Sequence, residues 1–387
     1  MTPPHEPARS VDPGHESTGS ARAFAGTPGT DYAAAGVSIE AGDRAVELMK
    51  EWVEKARRPE VVGGIGGFAG LFDASALKGY QRPLLATSAD GVGTKVAIAQ
   101  AMDVHDTIGF DLVGMLVDDL VVCGAEPLFM TDYIATGRVV PERIAAIVKG
   151  IADACVVAGC ALVGGETAEH PGLLGPDEYD VAGSTTGVVE AADLLGPGRV
   201  KAGDAVIAMA ASGLHSNGYS LVRHVLLSES AGAGWTLDRH VDELGRTLGE
   251  ELLEPTRIYA NACLDLARST ATHAMSHVTG GGLAANLERV LPDDKVVTID
   301  RGTWTPAPVF DLVHRVGDVA QPALEQTLNC GVGMVALTAP DDADRAVALL
   351  AGHGVDAWVC GEVSAASGAT GEPAGGTVTL RGQHPGW

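Results

Sequence analysis

At 387 residues the chain has room for two domains of ~150 residues each, and its 46% apolar content buries sizeable cores that must be mostly aliphatic, since aromatics are only 4%. A formal net charge of −24 argues against nucleic acid or an anionic membrane as a bulk partner, because phosphates would be repelled. A small anionic ligand would need local help from backbone amides, magnesium or a few placed cations. No apolar run reaches the ~18 residues of a membrane span and no basic-then-apolar leader opens the chain, so cytoplasm is the expected compartment. The six cysteines show neither a CxxC pair nor zinc spacing and read as reduced, buried thiols.

Residues 1–30 hold five Pro, four Gly and no Leu, Ile, Trp or Tyr, a composition that cannot offset ordering entropy; a disordered tail is expected. Asp43 to Arg57 reads as a helix capped by Asp43, with Val46, Met49, Val53 and Ala56 at helical spacing. GGIGGFAG follows: Gly63, Gly64, Gly66, Gly67, Phe68 and Gly70. Its spacing fits neither a Walker loop nor a dinucleotide fingerprint. It reads as a flap whose amides cover phosphates, or as a plain linker.

Leu84–Ala89 is a short apolar strand that delivers Asp90 to a loop, DGVGTK. Gly91 and Gly93 admit close backbone approach, Thr94 adds a hydroxyl and Lys95 a compact positive charge. Together these suit a magnesium–phosphate ligand; an ordinary strand-to-helix turn is the plainer alternative. Thr107 to Gly124 reads as a helix in which Asp119 falls within an apolar stripe of Leu112, Met115, Leu116, Val122 and Cys123, with Asp111 and Asp118 to one side. A carboxylate so placed must be paired, hydrogen-bonded or metal-bound. With Asp90 ending the neighbouring strand, the reading favours magnesium.

Leu128–Ile134 is a strand. A helix starts at Pro141 and closes at Gly159. Cys160–Val163 is a strand ending where Gly164 and Gly165 turn the chain. Glu166 and Glu169 follow, as metal ligands, proton acceptors or helix caps. Tyr179–Val189 is a further strand. The order β-α-β-α-β-β suits an α+β sandwich with helices on one face and a bare second face, which a second copy would cover most simply.

Leu195–Arg199, LGPGR, marks a domain boundary. Beyond it the strand Ala205–Ala210 feeds SGLHSNGYS, where His215, Ser216 and Asn217 precede a helix in an anion-binding arrangement. His215 is either an acid–base group or a structural loop residue. The strand His273–Val278 runs into Thr279, Gly280, Gly281 and Gly282 and then a helix, which again suits a phosphate. Asn329–Gly333 precedes a strand to Leu337; a helix at Asp342–Leu350 and strands near Trp358 and Val378 complete the fold, and the last residues read as a tail.

Ten motifs in this order, DYAAAGV, RRPEVVGGIGGFAG, DGVGTK, the run Asp119–Pro127, GGETAE, DYDVAG, GLHSNGYSLVR, PTRIY, HVTGGGL and LNCGVGM, resemble the aminoimidazole ribonucleotide synthetase (phosphoribosylformylglycinamidine cyclo-ligase) family over residues 31–365. The resemblance implies an α+β chain of two domains, 31–198 for ATP binding and dimerisation and 199–380 for substrate binding. The first would be a ferredoxin-like α/β domain that forms a dimeric β-barrel with its partner, and the second an α/β domain. It implies ATP-dependent closure of formylglycinamidine ribonucleotide to 5-aminoimidazole ribonucleotide, with ATP and Mg2+ as cofactors. The formyl oxygen would become an iminophosphate, which the amidine nitrogen displaces.

On that reading Asp90 and Asp119, and more weakly Glu166, hold magnesium; Lys95 neutralises phosphates; Gly63–Gly70 closes over them. His215–Asn217 and Thr279–Gly282 hold the ribonucleotide, and His215 and Glu166 are both open as ring-closure acid or base. The chain departs from the family pattern at Asp118 (Asn is usual), His170 (Met) and Ala285 (acidic). Relatives of the same architecture compete: thiamine-phosphate kinase leaves GLHSNGYSLVR and TGGGL unexplained, selenophosphate synthetase wants an early reactive Cys, and formylglycinamidine ribonucleotide synthase wants a longer chain or a glutaminase partner. A catalytically silent nucleotide-binding dimer is the remaining alternative.

Overall fold

A computed structural model describes residues 36–64, 66–367 and 375–387; the tail expected at 1–30, and Ile65 of the glycine-rich flap, lie outside them. The first helix is Ile39–Lys55. It begins before Asp43 because the Ser38 hydroxyl accepts the Ala41 N–H and caps the helix a turn earlier. Val61–Val62 and Leu71–Phe72 pair antiparallel, so the glycine-rich segment is the tip of a hairpin. Phe68 at that tip is fully exposed.

Four strands form the N-terminal sheet in the order Pro83–Gly91, Tyr179–Glu190, Glu126–Thr136, Ala161–Glu169. The last pair is parallel, and its crossover helix, Pro141–Ala158, runs from a Pro in its first turn to Gly159 in the left-handed region. The order is β-α-β-α-β-β, as the periodicity indicates, and differs from the β-α-β-β-α-β of a ferredoxin-like domain. The strands flanking Pro141–Ala158 are direct neighbours, and the last two strands follow each other without a helix. Gly164 and Gly165 do not turn the chain; they lie within the strand Ala161–Glu169. Gly165 faces Asp132, and a Cβ there would overlap the Asp132 carboxylate, so glycine serves close approach within the sheet.

The helices Ile108–Val121 and Pro141–Ala158 cover one face of this sheet, and Ile39–Lys55 packs on Pro141–Ala158. The other face is open and carries Leu85 and Tyr133, 65% and 41% exposed. After a short turn at Pro197–Arg199, a six-stranded sheet builds the C-terminal domain around Ala205–Ala210. Its order is Thr272–His277, Val332–Thr338, Ala205–Ala210, Ala357–Ala365, Lys295–Asp300, Thr377–Arg381, all antiparallel except the final pair. The chain end is not a loose tail: His384 is buried, with its ring centroid 4.5 Å from that of Trp304, and Trp387 stacks on His314 at 5.7 Å. Among the described residues no helix is long and apolar enough to cross a membrane.

Candidate active site

The two loops that the sequence suggests for two separate ligands touch each other across the domain junction. The Ser216 hydroxyl donates to the Val92 carbonyl at 2.7 Å, and the Thr94 and Ser220 hydroxyls lie 3.2 Å apart. The Lys95 ammonium donates to the His215 carbonyl at 3.0 Å. Lys95 also donates to the Glu254 carbonyl at 2.6 Å and to Asp111 Oδ1 at 2.7 Å, and it is completely buried. An ammonium has three N–H groups, and all three are taken. Lys95 is therefore a pin between domains, not the free phosphate-neutralising charge expected of it. Burial pushes Lys95 down and Asp111 up, towards neutrality, and their mutual contact opposes both shifts.

The helix Ile108–Val121 is buried on nearly every side, because the sheet packs on one flank and the C-terminal domain on the other. Its carboxylates are consequently sorted differently from the expected stripe. Asp111 is buried and accepts from the Thr256 N–H (3.0 Å) and hydroxyl (2.6 Å) as well as from Lys95. Asp118 is buried and accepts the Tyr259 N–H at 3.0 Å. Its pKa is pushed up to about 7, chiefly by burial. Asp119, expected to be buried, is the exposed carboxylate, with its side chain 45% accessible.

Asp119 and Asp90 form the pair that can hold a cation. Asp90 ends its strand with Oδ1 accepting the Gly91 N–H at 2.7 Å, and Asp119 Oδ1 meets His277 Nδ1 at 2.9 Å. Each keeps a second oxygen free of these bonds. Loss of solvent around Asp90 raises its pKa, and the nearby Asp119 carboxylate adds to the rise. Among the described residues no three Asp, Glu, His or Cys side chains form a complete cage. Two free carboxylate oxygens still fit Mg2+, which usually keeps several waters and binds one or two carboxylates plus substrate phosphates.

Glu166 does not join this pair. It is exposed on the strand Ala161–Glu169, at the opposite edge of the sheet from the strand of Asp90, with two strands between them. That separates them by ~14 Å at ordinary strand spacing.

His215 is buried, at φ +61°. Its Nε2 accepts the Ser212 N–H at 3.2 Å, which puts the ring proton on Nδ1, and Nδ1 has no partner. Burial holds its pKa well below 6.5, and His277 and Lys95 lower it further. It is thus a fixed neutral ring sealed from solvent and a poor acid–base group. Asn217 reaches the neighbourhood of Gly280, joining SGLHSNGYS to the TGGG loop.

In that loop Gly281 and Gly282 have φ of +100° and +72°, and a Cβ on Gly282 would overlap the Glu325 carbonyl. Asn286, which sequence reasoning passed over, holds the loop. Its two N–H groups are shared among the carbonyls of Thr279, Gly280 and Gly282, which lie 3.3, 3.2 and 2.8 Å from Nδ2, and its oxygen accepts the Thr279 hydroxyl at 3.3 Å. With the carbonyls held by Asn286 and the Gly282 N–H turned back to the Thr279 carbonyl at 3.1 Å, the amides of Gly280 and Gly281 remain for an anion. His277 was missed as well; a His three residues before a glycine triplet was its only sequence signal.

Family models match both domains: AIR synthase related protein, N-terminal domain, over residues 72–189, and the C-terminal domain over 201–372. The phosphoribosylformylglycinamidine cyclo-ligase of Geobacillus kaustophilus is 50% identical over 337 residues, covering 87% of this chain and 96% of that protein. That of Syntrophotalea carbinolica is 47% identical over 349 residues, covering 90% and 97%. Among solved structures, thiamine-monophosphate kinase from Stenotrophomonas maltophilia shares the fold, with a TM-score of 0.62 at 17% identity over 87% of this chain and 96% of that one. With two domain models in tandem and half-identity along nearly the whole length of curated relatives, the chain belongs to the phosphoribosylformylglycinamidine cyclo-ligase family.

Proposed function

We propose that this chain uses ATP and Mg2+ to close formylglycinamidine ribonucleotide to 5-aminoimidazole ribonucleotide, releasing ADP and phosphate, in purine biosynthesis. The observation that carries the reading is the near full-length identity to cyclo-ligases. The stitching of DGVGTK to SGLHSNGYS supports a single site shared by ATP and ribonucleotide.

Bound ATP with magnesium supplies the phosphoryl group that turns the formyl oxygen into a leaving group. Asp90 and Asp119 hold the metal. The amides of Gly280 and Gly281 take the ribonucleotide phosphate, and Asn286 keeps the loop in its receptive shape. His215 stays neutral and buried and acts through the backbone, fixing the loop that presents Ser216 and Asn217. Lys95 contributes at one remove, by fixing the His215 carbonyl and the Glu254–Thr256 turn against Asp111. Positioning of this kind is the main contribution a protein makes to phosphoryl transfer. The division between ATP and substrate domains falls at 198/199.

The test is ADP release by the full chain with ATP and Mg2+, with and without formylglycinamidine ribonucleotide. Substrate-dependent ADP and an aminoimidazole product are expected. Nucleotide binding with no substrate-dependent turnover would refute the reading.

We further infer a homodimer through the open sheet face bearing Leu85 and Tyr133. Both are large, exposed and on the face opposite the helices, and apolar side chains grouped on one bare sheet call for a cover. Light scattering should give twice the chain mass, and Leu85→Asp with Tyr133→Asp should give a folded monomer.

A further inference from the structure

Asp119 and His277 make a bond that is poor as a structural contact. Asp119 stands on the Ile108–Val121 helix of the N-terminal domain, and His277 ends the Thr272–His277 strand of the C-terminal domain. Their 2.9 Å bond involves a carboxylate that is nearly half exposed, where such pairs add little to stability. The His277 side chain is 2% exposed and its Nε2 has no partner. A buried unpartnered ring nitrogen is a cost to the fold. An apolar side chain of the same size would pack in that strand without the cost.

We propose that His277 is a positioning residue for the metal carboxylate: its Nδ1 proton holds Asp119 Oδ1 and turns Oδ2 towards the cation shared with Asp90. The proposal rests on the reading of Asp90 and Asp119 as the magnesium pair. Partners of this kind orient carboxylate ligands and raise metal affinity. Because the two residues come from different domains, the aimed carboxylate exists only when the domains are docked. His277 is also two residues ahead of Thr279. One strand end thus both aims the metal ligand and opens the substrate loop, which links substrate binding to the metal site without direct contact.

The test uses Mn2+ as the probe, followed by electron paramagnetic resonance, on the full chain with a non-hydrolysable ATP analogue. His277→Leu stays close to the imidazole in volume and removes both nitrogens; His277→Asn keeps a donor at the Nδ1 position. The Leu variant is expected to melt at or above the parent temperature while its Mn2+ affinity falls about 10–100-fold. The Asn variant should recover most of that loss. Asp119→Asn is the control. If it leaves Mn2+ affinity unchanged, the metal pair itself is misassigned and the proposal falls with it. If it weakens binding while His277→Leu does not, His277 has no positioning role. A Leu variant that melts well below the parent makes the contact structural, and likewise overturns the proposal.

Discussion

Replacing Asp118 by Asn takes a charge out of the interior while leaving an oxygen to accept the Tyr259 N–H. The parent carboxyl is fully buried between the Ile108–Val121 helix and the Tyr259 turn, and burial moves its pKa from 3.8 to about 7, against a partial opposing pull from His277. An acid whose folded pKa is raised binds its proton more tightly in the fold than in the unfolded chain. Stability is therefore complete below pH ~4 and lost progressively as pH rises towards ~7. The three-unit gap corresponds to a ceiling of ~4 kcal/mol at 1.36 kcal/mol per unit. Local relaxation and water entry reduce that to ~2 kcal/mol in practice.

Asn carries no charge at any of these pH values. Its spare N–H pair lacks a clear acceptor, as does the proton of the neutral acid, so at pH 5 parent and variant should agree within ~1 kcal/mol. At pH 8.5 the variant should be the more stable by ~2 kcal/mol or more. Urea denaturation of both proteins at the two pH values measures this directly. An equal stability difference at pH 5 and pH 8.5 would refute the reasoning, because it would mean that folding does not raise the Asp118 pKa. The position is one where the family pattern carries Asn, so the variant also restores the usual residue.

Lys95→Met leaves Asp111 buried without its cation and should cost ~3–5 kcal/mol in thermal or urea unfolding; adding Asp111→Asn should recover most of it, whereas a phosphate-binding Lys95 would show lost ATP affinity with an intact fold. Gly282→Ala puts a methyl group onto the Glu325 carbonyl at a positive φ, and steady-state kinetics should show kcat/KM for the ribonucleotide down ~100-fold with nucleotide affinity retained. Asn286→Ala frees three loop carbonyls, and should raise the ribonucleotide KM while costing ~1–3 kcal/mol in unfolding experiments. His215 resists protonation, so its share of stability is complete above pH 6.5 and lost as pH falls through the acid range; His215→Asn, which tolerates the left-handed backbone, should flatten the fall in melting temperature below pH 6.

Local sequence determined much of the scaffold. Pro141 and Gly159 bound their helix because one presets φ at a helix start and the other turns left-handed at its end. Period-two and period-3.6 patterns located the principal strands and helices, and a strand ending in Asp90 next to a helix bearing Asp119 singled out the two carboxylates. Tertiary structure decided what each polar group does. The Ile108–Val121 helix is enclosed by a sheet and a second domain, so its apolar periodicity could not tell which carboxylate faces outward; Asp111 and Asp118 are buried by partners about 140 residues away, and Asp119 is left exposed. Lys95 looks like a phosphate ligand until the chain folds back and fills its three donors with one carboxylate and two distant carbonyls. Gly164–Gly165 looks like a turn until a neighbouring strand brings Asp132 against it. The bond between Asp119 and His277, 158 residues apart, exists only because a helix of one domain docks on a strand end of the other. Such contacts depend on which surfaces meet, and no local spacing encodes that.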